Sequence, residues 1–235
     1  MIESVQNERI IKYSKLKNKK YREETGLFII ETPHLVEEAQ KEDLIVEIFT
    51  LDGSEGTQVS LDVMKKMSSL DNPSNILAIC KKREEKEITG NILILDDLQD
   101  PGNLGTIIRT CASFGIDTIV ASKSTVDVYN MKTLRASEGY IFKINYLERD
   151  LNEFISNLND YLIISTDVVN GVSPCEIKID KKFALILGNE GRGVSPELND
   201  LADIKTRINI KTESLNVGIS AGILLYEFTK EAKGN

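Results

Sequence analysis

Three short segments place glycine and amide residues beside a guanidinium or a carboxylate, and each contains an apolar stretch. They are residues 96–110 (DDLQDPGNLGTIIRT), 185–193 (LILGNEGRG) and 208–220 (INIKTESLNVGIS). Small residues allow backbone N–H and C=O groups to come close to a ligand. Open α/β sheets bind their ligands at the loops that follow the strands. The three segments together therefore predict one composite pocket.

The first segment combines a turn sequence that ends in Asn103 with a helical pattern that carries Gly105 and Arg109. A guanidinium such as that of Arg109 stays protonated and is a poor base, but it can grip a phosphate through two hydrogen bonds. The alternative is that Asn103 is an ordinary helix N-cap, followed by a surface arginine.

The second segment has three glycines among the six residues 188–193, around Asn189 and Glu190. Its spacing is the reverse of the dinucleotide fingerprint G-x-G-x-x-G, and the chain lacks a P-loop lysine, so another nucleotide cofactor is the weaker interpretation. A strand-to-helix turn that requires a positive φ angle is the structural alternative.

The third segment offers an apolar wall for the pocket through Ile208, Ile210 and Leu215. Apolar side chains together with backbone polar groups are typical of small-molecule sites. Ser214 and Asn216 can also act simply as N-caps of the last helix.

Short apolar runs alternate with helical patterns around these segments, which predicts a mostly parallel sheet with helices on both faces. Strands are predicted at residues 92–95, 116–121, 161–165 and 183–187, and helices at 104–114, 132–138, 151–158 and 217–231. A smaller α/β domain precedes them, with strands at 27–30, 45–50 and 76–80, and helices at 33–40, capped by Thr32, and 63–68. We predict a first domain at residues 1–84, a charged linker at 85–90 and a second domain at 91–235.

Composition favours an intracellular protein. No apolar run approaches the ~20 residues that a membrane-spanning helix needs, and the N-terminus lacks the pattern of a secretory signal. Three widely spaced cysteines disfavour a disulfide framework or a zinc site and indicate a reducing cytoplasm. The single histidine, His34, lies in the first domain, so a histidine-based triad in the second is excluded.

The net charge of −8 argues against a general nucleic-acid coat, but residues 9–22 form a local basic stretch without an acid. Cations there can neutralise phosphates, and Tyr13 and Tyr21 can stack on unpaired bases. A solvated helix face is the alternative. The candidate RNA-binding residues are Arg9, Lys12, Lys15, Lys17, Lys19, Lys20 and Arg22.

The three segments resemble the motifs of the SpoU (TrmH-like) family of RNA ribose 2'-O-methyltransferases in the SPOUT superfamily. The family patterns are N-x-G-x-x-x-R, G-x-E-G-x-G and S-L-N-V. The matching residues are Asn103, Gly105 and Arg109; then Gly188, Glu190, Gly191 and Gly193; then Ser214, Leu215, Asn216 and Val217. Residues 13–17 and 28–31 are similar to the family's smaller substrate-binding domain, although Thr32 stands where the family often has glycine.

The resemblance implies a SPOUT domain with a deep trefoil knot behind an L30e-like substrate-binding domain, and a homodimer whose interface covers the cofactor site. It implies methyl transfer from S-adenosylmethionine to a ribose 2'-OH without a metal. Ribosomal RNA is the first expectation for the substrate, and tRNA is the alternative. The implied catalytic residues are Arg109, which also contacts RNA, and Asn103, Glu190, Ser214 and Asn216. The implied cofactor-binding residues are Thr166, Leu187, Gly188, Asn189, Gly191, Ile208, Ile210, Leu215 and Asn216.

Two departures from the family pattern concern the third segment. Residues 208–213 lack the usual proline and form a shorter loop, and Gly218 replaces a small residue such as serine or alanine. The altered loop motivates a second hypothesis, a non-catalytic RNA-binding protein that keeps the fold but has lost its affinity for the cofactor.

Overall fold

A computed structural model describes residues 1–230 of the chain. The contacts divide the chain into two compact units. The first unit comprises residues 1–84 and 127–142, and the second comprises residues 85–126 and the chain from residue 143 onward. None of the described helices is both long and apolar enough to cross a membrane.

The first unit is a small α/β unit built on a four-stranded sheet. Its strands are β1 (Leu27–Glu31), β2 (Ile45–Thr50), β3 (Thr57–Gln58) and β4 (Ile76–Lys81), in the order β1-β4-β2-β3. Its helices are α1 (Glu8–Ser14), α2 (Lys19–Thr25), α3 (Pro33–Lys41), α4 (Leu61–Met67) and α6 (Met131–Ala136). Short 3-10 helices cover Lys15–Lys17 and Tyr140–Phe142.

The second unit contains a six-stranded sheet in which every neighbouring pair is parallel. Its strands are β5 (Ile92–Leu95), β6 (Thr118–Ser122), β7 (Asn145–Arg149), β8 (Leu162–Thr166), β9 (Phe183–Leu187) and β10 (Ile204–Thr206), in the order β10-β8-β9-β5-β6-β7. Its helices are α5 (Pro101–Ser113), α7 (Leu151–Ser156), α8 (Pro196–Asp200) and α9 (Val217–Thr229), with a 3-10 helix at Pro174–Glu176.

The two central strands of this sheet deliver two of the three segments to the same edge. Every residue of β5 and β9 is buried, as expected for interior parallel strands. Leu95 pairs with Leu187, and the Asp96 N–H donates to the Leu187 carbonyl over 2.9 Å. The loops that begin at Asp96 and Gly188 therefore leave the sheet side by side.

Helices α5 and α9 pack closely because small residues face each other. A Cβ atom on Gly218 would lie 3.1 Å from Cγ2 of Thr106, and one on Gly222 would lie 3.9 Å from Cγ2 of Thr110. The glycine at position 218 therefore serves helix packing, which offsets its cost of roughly 1 kcal/mol relative to alanine inside a helix. This contact joins the first and third segments.

The structure confirms the predicted mixed α/β architecture and the mostly parallel sheet. Sequence periodicity missed β3, β7, β10 and α8, which are short or only partly buried. The predicted C-terminal end of the last helix, Glu231, lies outside the described residues. Residues 127–142, predicted within the second domain, pack instead with the first unit, where Asp127 pairs with buried Arg22 and Tyr129 packs on Phe28.

Thr32, the departure from the family's glycine, has a backbone conformation that favours glycine. Its φ is 141° and its ψ is 143°, a region in which a non-glycine residue costs roughly 1–3 kcal/mol. The predicted N-cap role is also present, since its Oγ1 accepts from the Leu35 N–H over a long 3.4 Å. The cap offsets only part of the strain.

We expect Thr32→Gly to be more stable than Thr32→Ala by roughly 1–2 kcal/mol, because only glycine relieves the strain while both variants lose the hydroxyl cap. Urea unfolding of the two variants and the wild type measures the difference. Equal unfolding free energies for the two variants would show that position 32 is not strained.

Candidate active site

One cavity of about 640 Å³ lies within the second unit, at the carboxyl ends of β8, β9 and β10. The predicted cofactor-binding residues converge there, with the exception of Asn216, which caps α9 beside it. The lining includes Thr166, Leu187, Gly188, Asn189, Gly191, Ile208, Ile210 and Leu215, together with Glu190 and Ser214 from the predicted catalytic set. The second and third segments therefore form one site, as the sequence predicts.

The loop after β9 is a tight backbone ring. Asn189 and Gly193 exchange two backbone hydrogen bonds, of 3.0 and 2.9 Å. Gly188 lies so near this ring that an added Cβ would sit 2.0 Å from the carbonyl carbon of Gly193. Gly193 itself has a φ of +70°. Gly188 is therefore required for close approach and Gly193 for its left-handed conformation.

The side-chain amide of Asn189 holds this loop through hydrogen bonds. Its Oδ1 accepts from the Gly191 and Arg192 N–H groups at 2.9 and 3.2 Å, and its Nδ2 donates to the Asp97 carbonyl at 2.8 Å. The amide group is therefore engaged within the loop, and its support of the pocket is structural.

Two aspartates that sequence reasoning did not single out hold the same loop from the end of β5. The carboxylate of Asp96 accepts from the Ser195 N–H at 2.8 Å, and the carboxylate of Asp97 pairs with Arg192. Asp97 has a φ of +57°. Their position directly after a buried strand was the available signal, but acidic residues there are also common in ordinary turns.

A chain of side-chain hydrogen bonds connects all three segments. Glu190 Oε1 accepts from Asn103 Nδ2 at 3.1 Å, and Asn103 Oδ1 accepts from Asn216 Nδ2 at 2.8 Å. Asn216 Oδ1 in turn accepts from the Gly218 and Ile219 N–H groups and caps α9. The residues predicted from three separate motifs are thus in direct contact.

Asn103 differs in one respect from the sequence prediction. The N-cap of α5 is Asp100, whose carboxylate accepts from the Gly102 and Asn103 N–H groups at 2.7 and 2.9 Å. The prediction that Asn103 caps this helix is therefore wrong, and its amide is free to bridge Glu190 and Asn216.

Glu190 is poised to remain ionised. Burial opposes its charge, but the Asp100 N–H, the Asn103 amide and the Gln99 N–H all donate to the carboxylate and together hold the pKa of Glu190 below its ordinary value. A carboxylate with a lowered pKa is a weak proton acceptor near neutral pH. Its geometry suits a positioning role better than that of a general base.

Arg109 projects from α5, one and a half turns after Asn103, and it is exposed. Its guanidinium does not line the cavity, so it can reach a larger substrate from outside the cofactor pocket. Ser214 is also exposed, at the cavity wall.

The wall formed by the third segment is supported from β8. Asp167, directly after Thr166, accepts from the Asn170 and Val169 N–H groups, which together with Lys205 and Arg207 lower the pKa of its carboxyl group. Arg207 donates to the Val169 carbonyl at 2.9 Å and to Asn209 Oδ1 at 3.3 Å. These hydrogen bonds hold the start of the loop at residues 208–213, which lacks the family's proline.

The basic stretch of the first unit is not one helix face. It forms α1, a 3-10 turn and α2, and Arg22 is buried with all three guanidinium nitrogens bonded, to Asp127 and to the Leu16 carbonyl. The prediction that Arg22 binds RNA is therefore wrong. Arg9 pairs with Glu47, and Lys15 lies over the Tyr21 ring, whereas Lys12 and Lys17 are exposed.

Comparisons with known proteins agree with this geometry. The SpoU rRNA Methylase family model matches residues 90–226, and the model of the MRM3-like substrate binding domain matches residues 7–78. RlmP of Bacillus subtilis, a 23S rRNA (guanosine(2553)-2'-O)-methyltransferase, is 38% identical over 96% of this chain and 97% of that protein.

Solved structures give the same result. An AdoMet-bound rRNA methyltransferase from Sinorhizobium meliloti has a TM-score of 0.87 and 27% identity, covering 98% of this chain and 97% of that one. The SpoU methyltransferase AviRb from Streptomyces viridochromogenes, in complex with AdoMet, has a TM-score of 0.85 over 98% of this chain and 100% of that one; its 19% identity shows the fold alone.

The parallel sheet and its three-loop pocket define an RNA methyltransferase that uses S-adenosylmethionine. The chain belongs to the SpoU rRNA methylase family. The predicted family, enzyme class and cofactor are confirmed, and the enzyme is favoured over the non-catalytic RNA-binding protein. No group of three or more potential metal ligands occurs within residues 1–230.

We expect Gly188→Ala to weaken S-adenosylmethionine binding by about tenfold to a hundredfold, since forcing apart a packed loop costs roughly 1–3 kcal/mol. Calorimetric titration measures the dissociation constant. Gly191→Ala is the matched control, because its Cβ would meet only Asn189 Oδ1 at an ordinary 3.7 Å. Equal affinities for the two variants would refute the close-approach role of Gly188.

Proposed function

We propose that the enzyme methylates a ribose 2'-OH of 23S rRNA, at the guanosine equivalent to that named for the B. subtilis relative. The proposal rests on the 38% identity to the B. subtilis protein across nearly the whole of both chains. The match includes the substrate-binding unit as well as the catalytic one. Ribosomal RNA is therefore preferred to transfer RNA. Three free cysteines, two of them buried, support a cytoplasmic location.

The residues of the cavity fit S-adenosylmethionine. A volume of about 640 Å³ is within the usual range for small-molecule sites, and apolar walls with backbone polar groups suit an adenine ring. When bound, the cofactor supplies a methyl group already activated on a sulfonium. The proposed binding residues are Thr166, Leu187, Gly188, Gly191, Ile208, Ile210, Leu215 and Asn216, with Asn189 acting through its backbone.

Arg109 is the proposed catalytic residue. Its exposed guanidinium can hold the phosphate beside the target ribose in a two-point grip, orient the 2'-OH and stabilise charge as the proton leaves. Asn103, Glu190 and Asn216 position the loops around it, and Ser214 lies at the cavity wall, where a nucleotide can reach it.

The protein is proposed to act as a homodimer through α9. This helix buries Ala221, Leu224 and Phe228 against its own unit, yet Ile219, Ile223 and Tyr226 are 55%, 40% and 60% exposed on its other side. A helix that is apolar all round is normally covered on both sides. The trefoil knot implied by the family resemblance also stays a prediction.

We expect methyl transfer from labelled S-adenosylmethionine to a 23S rRNA transcript, mapped to the single equivalent guanosine by mass spectrometry of nuclease fragments. A synthetic fragment with 2'-deoxyguanosine at that position should accept no label, because the reacting oxygen is missing. Labelling of that fragment, or of a different nucleotide, would contradict the proposed target.

Arg109→Ala should lower the single-turnover rate by about a hundredfold, the usual effect of removing a donor that stabilises developing charge. Arg109→Lys should recover only part of the rate because it keeps the charge without the two-point grip. Calorimetric affinity for the cofactor should be unchanged in both, since Arg109 does not line the cavity. A wild-type rate in Arg109→Ala would remove it from catalysis.

Ile223→Glu should convert the dimer into a monomer, because it places a charge in the proposed apolar interface. Light scattering after gel filtration gives the mass. Val46→Glu, at a position that is 50% exposed in the first unit, should leave the mass unchanged. A monomeric wild-type protein would disprove the dimer.

A further inference from the structure

A buried carboxylate in the first unit gathers polar groups from three separate elements. Glu31, the last residue of β1, is 1% exposed. Its oxygens accept from the hydroxyls of Ser68 and Ser69 and from the Ser69 N–H at 3.2 Å. Arg135 of α6 adds a hydrogen bond from its Nη1 at 3.2 Å. The hydroxyl and guanidinium donors offset the cost of burying this charge.

Arg135 is fixed at one end and open at the other. Its Nη1 also donates to Ser69 Oγ at 3.0 Å, so the plane of the guanidinium is set by two partners. Nε and Nη2 make no hydrogen bond to residues 1–230, and the side chain remains 31% exposed. Arg22 of the same unit is the contrast, because all of its nitrogens are bonded internally and its side chain is 5% exposed.

A second cation lies near the same carboxylate. Lys17 ends the 3-10 helix that packs against β1, the strand whose last residue is Glu31. Burial lowers the pKa of Lys17, and the charge of Glu31 raises it. Two cations and one carboxylate leave a net positive charge beside the partly buried guanidinium of Arg135. Attraction for an anion is stronger there than on a fully solvated surface.

We propose that Arg135 and Lys17, oriented by Glu31 and Ser69, form a binding site for a backbone phosphate of the RNA substrate. The free edge of a guanidinium presents donors in a fork that matches two phosphate oxygens. The inference rests on the proposed function and deepens it, because it names where the first unit holds the RNA chain. Arg135 lies outside both the basic stretch 9–22 and residues 7–78, which match the substrate-binding model.

The test is RNA binding without catalysis. Fluorescence anisotropy measures the affinity of the full-length protein for a 23S rRNA transcript and for an unrelated transcript of equal length, at several salt concentrations. Loss of one phosphate contact lowers the slope of log affinity against log salt by about 0.7–0.9. The advantage of wild type over Arg135→Gln should therefore shrink about threefold between 50 and 200 mM salt.

Both transcripts should show this change, because a phosphate site does not read sequence. The site can therefore be judged even if the proposed 23S target fails its own methylation test. Cofactor affinity should stay at the wild-type value, since the substitution lies in the other unit.

Arg83→Gln is the matched control, because it removes the same charge from an arginine of the same unit that pairs with Glu42. Lys17→Gln is the second test variant, which leaves the contact between Glu31 and Arg135 in place if Arg135→Gln unfolds the unit. A slope change in Arg135→Gln or Lys17→Gln, but not in Arg83→Gln, supports the site. Wild-type slopes in both, or equal losses in all three, would overturn it.

Discussion

The carboxylate of Glu190 is the interaction on which the active site depends. It lies in the loop after β9 and draws its donors from another segment, the backbone at Gln99 and Asp100 and the amide of Asn103. A partly buried charge is stable only where such donors are already arranged. The amide of Asn103 then reaches Asn216, so one charge fixes the relative positions of three loops.

Glycine serves three different purposes in this unit, which explains why a glycine count alone is a weak guide. Gly188 is required because its backbone touches the ring of the loop, and Gly193 because its φ is positive. Gly218 allows α9 to approach α5 at Thr106. Gly191 has none of these constraints. Each purpose makes a different substitution tolerable, and only the coordinates distinguish the three.

The sequence predicts the sheet and the pocket because parallel strands follow a simple rule. Buried strands such as β5 and β9 appear as continuous apolar runs, and their carboxyl ends must lie at one edge. Short edge strands have no such signal, and β10 was missed for that reason. The cap of α5 also escaped prediction, because Asp100 and Asn103 are both good N-cap residues and only geometry distinguishes them.

The cationic residues show most clearly what the sequence alone does not predict, namely which of them remain available to bind RNA. Seven cations within residues 9–22 look equivalent in the sequence. Arg22, however, forms a buried ion pair with Asp127, which lies more than a hundred residues away in the sequence. Arg135 lies outside that basic stretch. The buried carboxylate of Glu31 fixes one edge of its guanidinium and leaves the other edge open. In a chain with a net charge of −8, affinity for RNA must depend on such local arrangements, because the overall field repels a polyanion. Long-range pairing, which decides which cations remain available, is set by the fold.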